Sequence, residues 1–523
     1  MNNNASNDLI KIANGQIARL SQQLNITNKI ITQSDKYFKK ITNEFTIRKA
    51  IKLARYSRFT TDGYYDPNEF NEFNEDEIYS IILKKLNSFN SHANPYIIFY
   101  FPKKAEKKRT AFYIPFEEYC IRFVIGIVLF DEYQNDFTKN IYGGREDIFS
   151  FKQHNSFGHF VKWQKDTFYS KKYKYLYSLD IKSFFDTINQ ASLIDSVSSK
   201  IKLNKSDYFY KLFKSVIQFD YLNNILDKTV ISSSLSGIIV GSRVDSFFQN
   251  IVLSSIDNKL KNIPNIKYGR LTDDIKVFYN DKDTGESVSL IIQNELDKLG
   301  LKLNNDKSQL YDLTKDKIPF DDPLYYGDPS NMDISENYEI IGDGLSYLTE
   351  EDNFIAPTKI PQEKYLVHNN NSWKYKYDKY LISEIEDEDY FDYAVGLLSI
   401  DPKYLLSRHI DSLIFIIKKT NYSWRMCAFF VNTFFKISSQ LPNNNYALKI
   451  SNLLSDEYID DYAKYRILRN LFLNNTKYYF MIQDASFEHL ISEQLVLLKK
   501  SKHYILHNTA EFILKEYFKI TTH

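Results

Sequence analysis

The chain has 523 residues, 43% hydrophobic and 25% charged, with a formal net charge of +1. This length predicts two or three domains with buried cores. A net charge close to zero does not indicate which kind of partner the protein binds. No apolar run reaches the roughly 20 residues of a membrane helix, no signal-peptide pattern opens the chain, and Cys120 and Cys427 form no zinc or disulfide pattern. We therefore expect a protein of the reducing cytoplasm, with buried cysteines and no membrane contact.

Residues 1–95 have the apolar spacing of helices and predict an amino-terminal helical region. The next segment, residues 96–115, consists of two apolar and aromatic runs around a lysine-rich loop, and this predicts a β-hairpin with a cationic tip. Lys103 and Lys104 lie in the loop, and Arg109 opens the second run. Such cations bind phosphate groups, Arg through its planar fork and Lys as a point charge, although surface solubility is the simpler reason for each.

Two acidic segments follow, at residues 177–186 and 268–278. Each places carboxylates at the end or turn of an apolar, β-branched run, so we expect Asp180, Asp273 and Asp274 to meet at one edge of a sheet. Clustered carboxylates repel each other unless cations neutralise them, and Mg²⁺ binds one or two carboxylates together with substrate phosphates. The three aspartates therefore predict a two-metal site for nucleotidyl transfer, loaded with Mg²⁺ or Mn²⁺.

The order of these segments resembles that of reverse transcriptases over about residues 96–310. On this resemblance Asp180 is the carboxylate of the first motif, and residues 271–274 match the Tyr-x-Asp-Asp hairpin with Leu271 in place of the tyrosine. It implies an α+β fold of reverse-transcriptase-like palm and fingers, dNTP substrates, and Lys103, Lys104 and Arg109 as triphosphate-binding residues of the fingers.

The same resemblance implies three further roles. Phe185 falls at the steric-gate position, where a ring excludes the sugar 2′-hydroxyl, although core packing is the alternative for it and for Phe184. Gly241 lies in the second palm motif, where a glycine lets the nucleotide approach the backbone, but residues 239–240 are Ile-Val instead of Pro-Gln and weaken the expectation of templating. Lys307 corresponds to the lysine that protonates the pyrophosphate leaving group.

Beyond the palm, residues 312–337 are rich in Pro, Asp and Tyr and predict an irregular insertion without an assignable role. Residues 351–523 have helical spacing, with proline and serine at helix-length intervals, and predict an all-α, HEAT-like helical-repeat domain. The expected domains are therefore residues 1–95, 96–350 and 351–523, the middle one holding fingers and palm.

A divergent palm followed by a helical carboxy-terminal part resembles the abortive-infection reverse transcriptases of bacteria, of the AbiK and AbiA type. This resemblance implies a homo-oligomeric phage-defence enzyme of the bacterial cytoplasm. It also implies template-independent synthesis primed by a protein hydroxyl, with single-stranded DNA attached covalently to the protein. Two alternatives remain: a templated RNA-directed DNA polymerase, which shares every catalytic residue, and a catalytically dead, nucleic-acid-binding pseudo-polymerase.

Overall fold

A computed structural model describes most of the first 315 residues and part of the carboxy-terminal region. The described residues are 36–60, 66–67, 73–88, 95–102, 108–137, 139–145, 148–150, 156–227, 229–232, 237–239, 242–315, 446–473 and 485–519, with isolated positions between 414 and 481. Lys103, Lys104, Gly241 and nearly all of the 312–337 insertion lie outside them.

The described residues contain nine strands, which form two sheets. The strands are β1 (Tyr96–Pro102), β2 (Lys108–Tyr113), β3 (Ile141–Tyr142), β4 (Tyr175–Asp180), β5 (Asp220–Leu222), β6 (Val230–Ser232), β7 (Lys267–Leu271), β8 (Asp274–Tyr279) and β9 (Gln309–Asp312). One sheet has the order β2-β1-β5-β6, and the antiparallel pair of β1 and β2 confirms the predicted hairpin. The other has the order β3-β7-β8-β4-β9 and contains the strands that carry the aspartates.

Helices pack around both sheets. They are α1 (Lys36–Ile41), α2 (Glu44–Thr60), α3 (Glu75–Ser88), α4 (Phe116–Tyr133), α5 (Ser156–Tyr169), α6 (Phe184–Thr187), α7 (Gln190–Lys200), α8 (Tyr208–Ile217), α9 (Arg243–Leu260), α10 (Lys282–Lys298), α11 (Tyr446–Ser455), α12 (Asp461–Leu468), α13 (Ala485–Leu498) and α14 (Tyr504–Glu516). Within the described part of the chain, no helix is long and apolar enough to span a lipid bilayer.

The larger hydrophobic core lies between the helices and the five-stranded sheet. Ile275 and Val277, which alternate on β8, are fully buried in it together with Phe123 of α4 and Phe248 of α9. Cys120 is buried in the same core, as the apolar sequence around it predicts. Burial on one face of β8 leaves the opposite face available for its polar residues, because side chains alternate along a strand.

A second core joins the first sheet to the carboxy-terminal helices. Phe101 on β1 packs edge-on against Tyr462 of α12 at 5.2 Å, and Tyr113 on β2 meets the ring of Tyr504 at 4.2 Å. Tyr504 also donates a hydrogen bond of 3.0 Å to the buried carboxylate of Asp66. Helices therefore occupy the described carboxy-terminal residues as predicted, but these helices do not establish a HEAT-like repeat.

A buried ion pair fixes helix α4 to helix α9. The Arg122 guanidinium lies 3.1 Å from a carboxylate oxygen of Asp245 and donates a second hydrogen bond, of 2.6 Å, to the carbonyl of Val216. Both side chains are almost completely inaccessible to solvent. Burial raises the pKa of Asp245, and the positive charge of Arg122 opposes that rise.

Replacing Arg122 by methionine should destabilise the protein strongly, because it leaves the Asp245 carboxylate buried without its counter-charge. We expect Arg122→Met to lower the free energy of unfolding by about 3–5 kcal/mol, measured by urea denaturation. The double variant Arg122→Met/Asp245→Leu should regain most of that loss, since it removes the stranded charge as well. If Arg122→Met unfolds at the same midpoint urea concentration as the wild type, this account of the helix pair is wrong.

Candidate active site

The antiparallel register of β4 and β8 brings two of the predicted carboxylates together. Asp180, the last residue of β4, lies directly opposite Asp274, the first residue of β8, and Ser178 lies opposite Lys276. Directly opposite residues project from the same face and have Cβ atoms about 4.5–5.5 Å apart. Asp180 and Asp274 therefore form a cross-strand pair of like charges, an arrangement that destabilises a sheet unless cations offset it.

The third carboxylate lies in the turn that joins β7 to β8. Leu271 and Asp274 pair across the hairpin, so Thr272 and Asp273 form a two-residue turn. Thr272 has a φ of 51°, in the left-handed region that a β-branched residue rarely adopts, and its hydroxyl donates a 2.9 Å hydrogen bond to the Asp273 carboxylate. The strained turn presents Asp273 beside Asp274 at the end of the sheet.

A buried arginine anchors this turn through hydrogen bonds. Arg270 on β7 donates hydrogen bonds from Nε and Nη2 to both carboxylate oxygens of Asp257, at 2.8 and 2.7 Å. Its Nη1 reaches the carbonyl oxygen of Thr272 at 3.1 Å. The Tyr268 hydroxyl also donates to Asp257. Helix α9, which carries Asp257, is thereby tied to the turn that carries Asp273.

The same arginine connects the turn to the segment that follows β3. Its Nη1 donates a 2.6 Å hydrogen bond to the side-chain oxygen of Asn250, whose amide nitrogen donates to the carbonyls of Gly143 and Gly144 at 2.9 and 2.8 Å. Gly144 has a φ of 67°, and a Cβ there would lie 2.6 Å from the carbonyl oxygen of Ser246. Glycine at 144 therefore allows the close approach on which this connection depends.

The segment after helix α10 surrounds Asp180 with polar groups. Asn304 donates a 2.8 Å hydrogen bond from its side-chain amide to the Asp180 carboxylate, and its backbone N–H donates to the Asp180 carbonyl at 2.8 Å. The hydroxyl of Ser308 accepts from the Asp180 N–H at 3.3 Å. Lys307 places Nζ 3.9 Å from the carboxylate and is largely exposed. The fold thus brings Lys307 beside Asp180.

The predicted gate residue adjoins the second palm segment. Phe184 is fully buried, whereas Phe185 is only partly buried, and the Phe185 carbonyl accepts a 2.9 Å hydrogen bond from the N–H of Ile238. Gly237, with a φ of 107°, donates from its N–H to the Ile188 carbonyl at 2.7 Å. The core-packing interpretation therefore fits Phe184, while Phe185 retains an accessible surface beside the second motif.

The other predicted nucleotide-binding residues are not brought to this edge by the described structure. Arg109 lies at an exposed position of β2, in the other sheet, where it pairs with Phe101. Lys103, Lys104 and Gly241 are outside the described residues.

The sequence interpretation missed three residues of the site. Asn304 lies in the same segment as Lys307, where the resemblance indicates only the lysine. Arg270 and Lys276 are cations within the two strands of the hairpin that carries Asp273 and Asp274. A cation in that position is the one sequence signal that could have indicated them.

The electrostatics of the site favour a bound cation. Burial raises the pKa of Asp273, and the charges of Asp180 and Asp274 raise it further, against the hydrogen bond from Thr272. All three side chains offer the hard oxygen donors that Mg²⁺ and Mn²⁺ accept. In the described residues, however, no three His, Cys, Asp or Glu side chains are placed to hold one metal ion. The donors fit a magnesium site of one or two carboxylates that substrate phosphates complete.

Replacing Asp273 by asparagine should stabilise the metal-free protein at neutral pH. A carboxyl whose pKa is raised in the folded state makes stability fall as pH rises from its unfolded pKa, about 4, through the folded value. In EDTA the melting temperature of Asp273→Asn should equal that of the wild type below about pH 4 and exceed it by a few degrees at pH 7.

Asp281 provides a control of opposite sign for this measurement. It caps helix α10, and the hydrogen bonds from the Thr284 N–H and hydroxyl lower its pKa. Asp281→Asn should therefore be less stable than the wild type at pH 7, with the difference shrinking as pH falls. A metal-free Asp273→Asn protein that is less stable than the wild type at pH 7 would contradict the charge-repulsion account.

Comparison with known proteins agrees with this geometry. Residues 129–341 match the family described as reverse transcriptase (RNA-dependent DNA polymerase), a span that contains the three aspartates, Phe185 and Lys307. Curated proteins give no significant match. One similar solved structure is apo telomerase from Candida tropicalis truncated from its C-terminal domain, with 16% identity and a TM-score of 0.32 over 46% of this chain. The match spans 56% of that telomerase chain. The family match identifies residues 129–341 as a nucleotidyltransferase domain of the reverse-transcriptase type.

Proposed function

We propose that the protein is a DNA polymerase that transfers nucleotides from dNTPs without a template, starting from a protein hydroxyl, in the defence of bacteria against phage. The observation that carries its polymerase chemistry is the cross-strand pair of Asp180 and Asp274 with Asp273 in the adjoining turn. Three carboxylates gathered on one polar edge, above an apolar core, support a site built for cations and phosphates rather than for packing.

Each residue of the site has a distinct part in this chemistry. Asp180 and Asp273, with Asp274 assisting, would hold Mg²⁺ or Mn²⁺, which when bound would neutralise the phosphates and activate the attacking hydroxyl. Lys307, whose ammonium lies beside Asp180 and is largely exposed, is placed to give a proton to departing pyrophosphate. Arg109, with Lys103 and Lys104, supplies positive charge for the triphosphate.

Independence from a template is supported by the second palm segment. Ile239, at the position of the proline in the usual Pro-Gln pair, is almost completely buried. The neighbouring backbone is fixed by hydrogen bonds from Gly237 and Ile238 to the segment that contains Phe185. The neighbouring Val240 stands where that pair has its glutamine and offers no polar side-chain group to a nucleotide, so this site has fewer means of reading a paired base.

Protein priming, homo-oligomeric assembly and phage defence are proposed from the resemblance to abortive-infection enzymes. The carboxy-terminal helices that pack on the first sheet support it, because a helical part joined to palm and fingers is expected of that group. The product of such an enzyme is single-stranded DNA attached to the protein. A templated polymerase is the second candidate, favoured by the RNA-dependent family description of residues 129–341.

The deciding experiment incubates the purified protein with Mg²⁺ and labelled dNTPs, without template or primer, and runs denaturing gels before and after protease. We expect label that migrates with the protein until digestion releases it. Label that appears only with a primer and an RNA template would establish the second candidate. No label under either condition would indicate a catalytically dead, nucleic-acid-binding protein.

Within that assay, the double variant Asp273→Asn/Asp274→Asn should lose incorporation by at least about a thousandfold, because the carboxylates are needed in the transition state. Circular dichroism should show an unchanged fold, since both asparagines are isosteric with the residues that they replace. Incorporation at more than a tenth of the wild-type rate would rule out this site as the catalytic one.

Phe185 should select deoxynucleotides through the shape of its ring. We expect Phe185→Ala to raise the incorporation of ribonucleotides relative to deoxynucleotides by about tenfold or more, measured as the ratio of kcat/KM values. Phe184→Leu is the matched control, because Phe184 is buried and should affect stability without changing the ratio. Equal ratios in the Phe185 variant and the wild type would remove Phe185 from the nucleotide site.

A further inference from the structure

Lys276 is a cation at the edge of the candidate site, and two contacts hold its ammonium in place. Its ammonium lies 2.7 Å from a carboxylate oxygen of Asp274 and donates a 2.6 Å hydrogen bond to the hydroxyl of Ser178 on the neighbouring strand. The Lys276 side chain is 14% exposed, whereas that of Asp274 is 42% exposed. Lys276 thus reaches Asp274 from the protein side, and Ser178 holds it there.

The geometry of strand β8 by itself places Lys276 next to Asp274. Asp274 and Lys276 are two residues apart on β8, so both project from the face that also carries Asp180 and Ser178. No rearrangement of the backbone is needed to bring the ammonium to Asp274. The opposite face of β8 is filled by Ile275 and Val277, which are fully buried and fix the register.

Among the residues that the structure describes, the other two carboxylates have no such partner. The cation paired with Asp180 is Lys307, at 3.9 Å, and the Lys307 side chain is 69% exposed and able to swing away. Asp273 accepts its hydrogen bond from the uncharged hydroxyl of Thr272. The three aspartates therefore differ in how far neighbouring cations offset their negative charges.

We propose that Lys276 is a permanent counter-cation for Asp274, so that Asp180 and Asp273 bind the divalent ion and Asp274 does not. This inference rests on the proposed function and specifies how its site divides the carboxylates. A carboxylate already neutralised by an ammonium attracts a second cation weakly, and the ammonium also repels it. Two carboxylates are enough, because Mg²⁺ commonly binds one or two together with substrate phosphates.

Lys276 is then a positioning residue of the metal site. It offsets the repulsion between Asp180 and Asp274 before any ion arrives, so the edge of the sheet keeps its register in the metal-free protein. The division of carboxylates also agrees with the lack, among the described residues, of three acidic side chains placed around one ion.

The test measures Mn²⁺ binding to the full-length protein by electron paramagnetic resonance, without nucleotide, so that it does not depend on activity. Lys276→Met should bind Mn²⁺ about tenfold more tightly than the wild type, because Asp274 loses its partner and becomes a ligand. Lys276→Met/Asp274→Asn should return to within about twofold of the wild type, since it removes a pair with no net charge. Asp273→Asn should weaken binding at least about tenfold.

Lys282→Met is the matched control for the loss of one positive charge. Lys282 is exposed and begins helix α10, beyond the end of β8 opposite to Asp274, so its removal should leave Mn²⁺ affinity within about twofold of the wild type. The control separates a specific effect of Lys276 from a general change in net charge.

Three outcomes would overturn the inference. If Lys276→Met binds Mn²⁺ with the wild-type affinity, Lys276 does not keep Asp274 from binding the metal ion. Affinity at least tenfold below the wild type in Lys276→Met/Asp274→Asn would show that Asp274 is a ligand in the wild type. A wild-type protein that binds no Mn²⁺, and incorporates no nucleotide with Mg²⁺, would remove the proposed function together with this inference, whereas the first two outcomes leave that function intact.

Discussion

The buried guanidinium of Arg270 is the interaction on which the candidate site depends. It joins helix α9, through Asp257 and Asn250, to the carbonyl of Thr272 in the turn that carries Asp273. Burial alone would lower the pKa of Arg270, but the Asp257 carboxylate raises it, so the cation stays charged inside the protein. Because Asp257 and Asn250 are themselves buried, removing the guanidinium would leave several polar groups unsatisfied at once. The strained turn is therefore supported by the core, independently of any ligand.

That support explains how the protein tolerates three neighbouring carboxylates. Asp180 and Asp274 face each other across the sheet, and their repulsion acts on a register that buried Ile275 and Val277 already hold. Lys276 and Asn304 then stabilise Asp274 and Asp180 respectively with an ammonium and an amide. The negative charge of Asp273 is offset least by its neighbours, so a bound cation would stabilise this carboxylate the most.

The sequence predicted the elements of the palm but not the contacts between them. Alternating apolar residues around Asp180 and Asp274 indicated two strands, and the structure shows these strands paired with the aspartates opposite each other. The register that puts Asp180 opposite Asp274 and Ser178 opposite Lys276 depends on pairing with β4, which lies about ninety residues away and leaves no local signal. The division between buried Phe184 and accessible Phe185 likewise depends on the segment containing Gly237, which is distant in sequence. Helical spacing predicted the carboxy-terminal helices, but not which surface they cover.

The surface that they cover links the two halves of the chain. On β1 and β2 the side chains of Phe99, Phe101 and Tyr113 enter the core shared with the carboxy-terminal helices, while that of Phe112 enters the core of the palm. The first sheet is thus a layer between two cores, apolar on both faces, and its hairpin would expose a large apolar surface without the helices. The carboxy-terminal helices are therefore a structural part of the fingers.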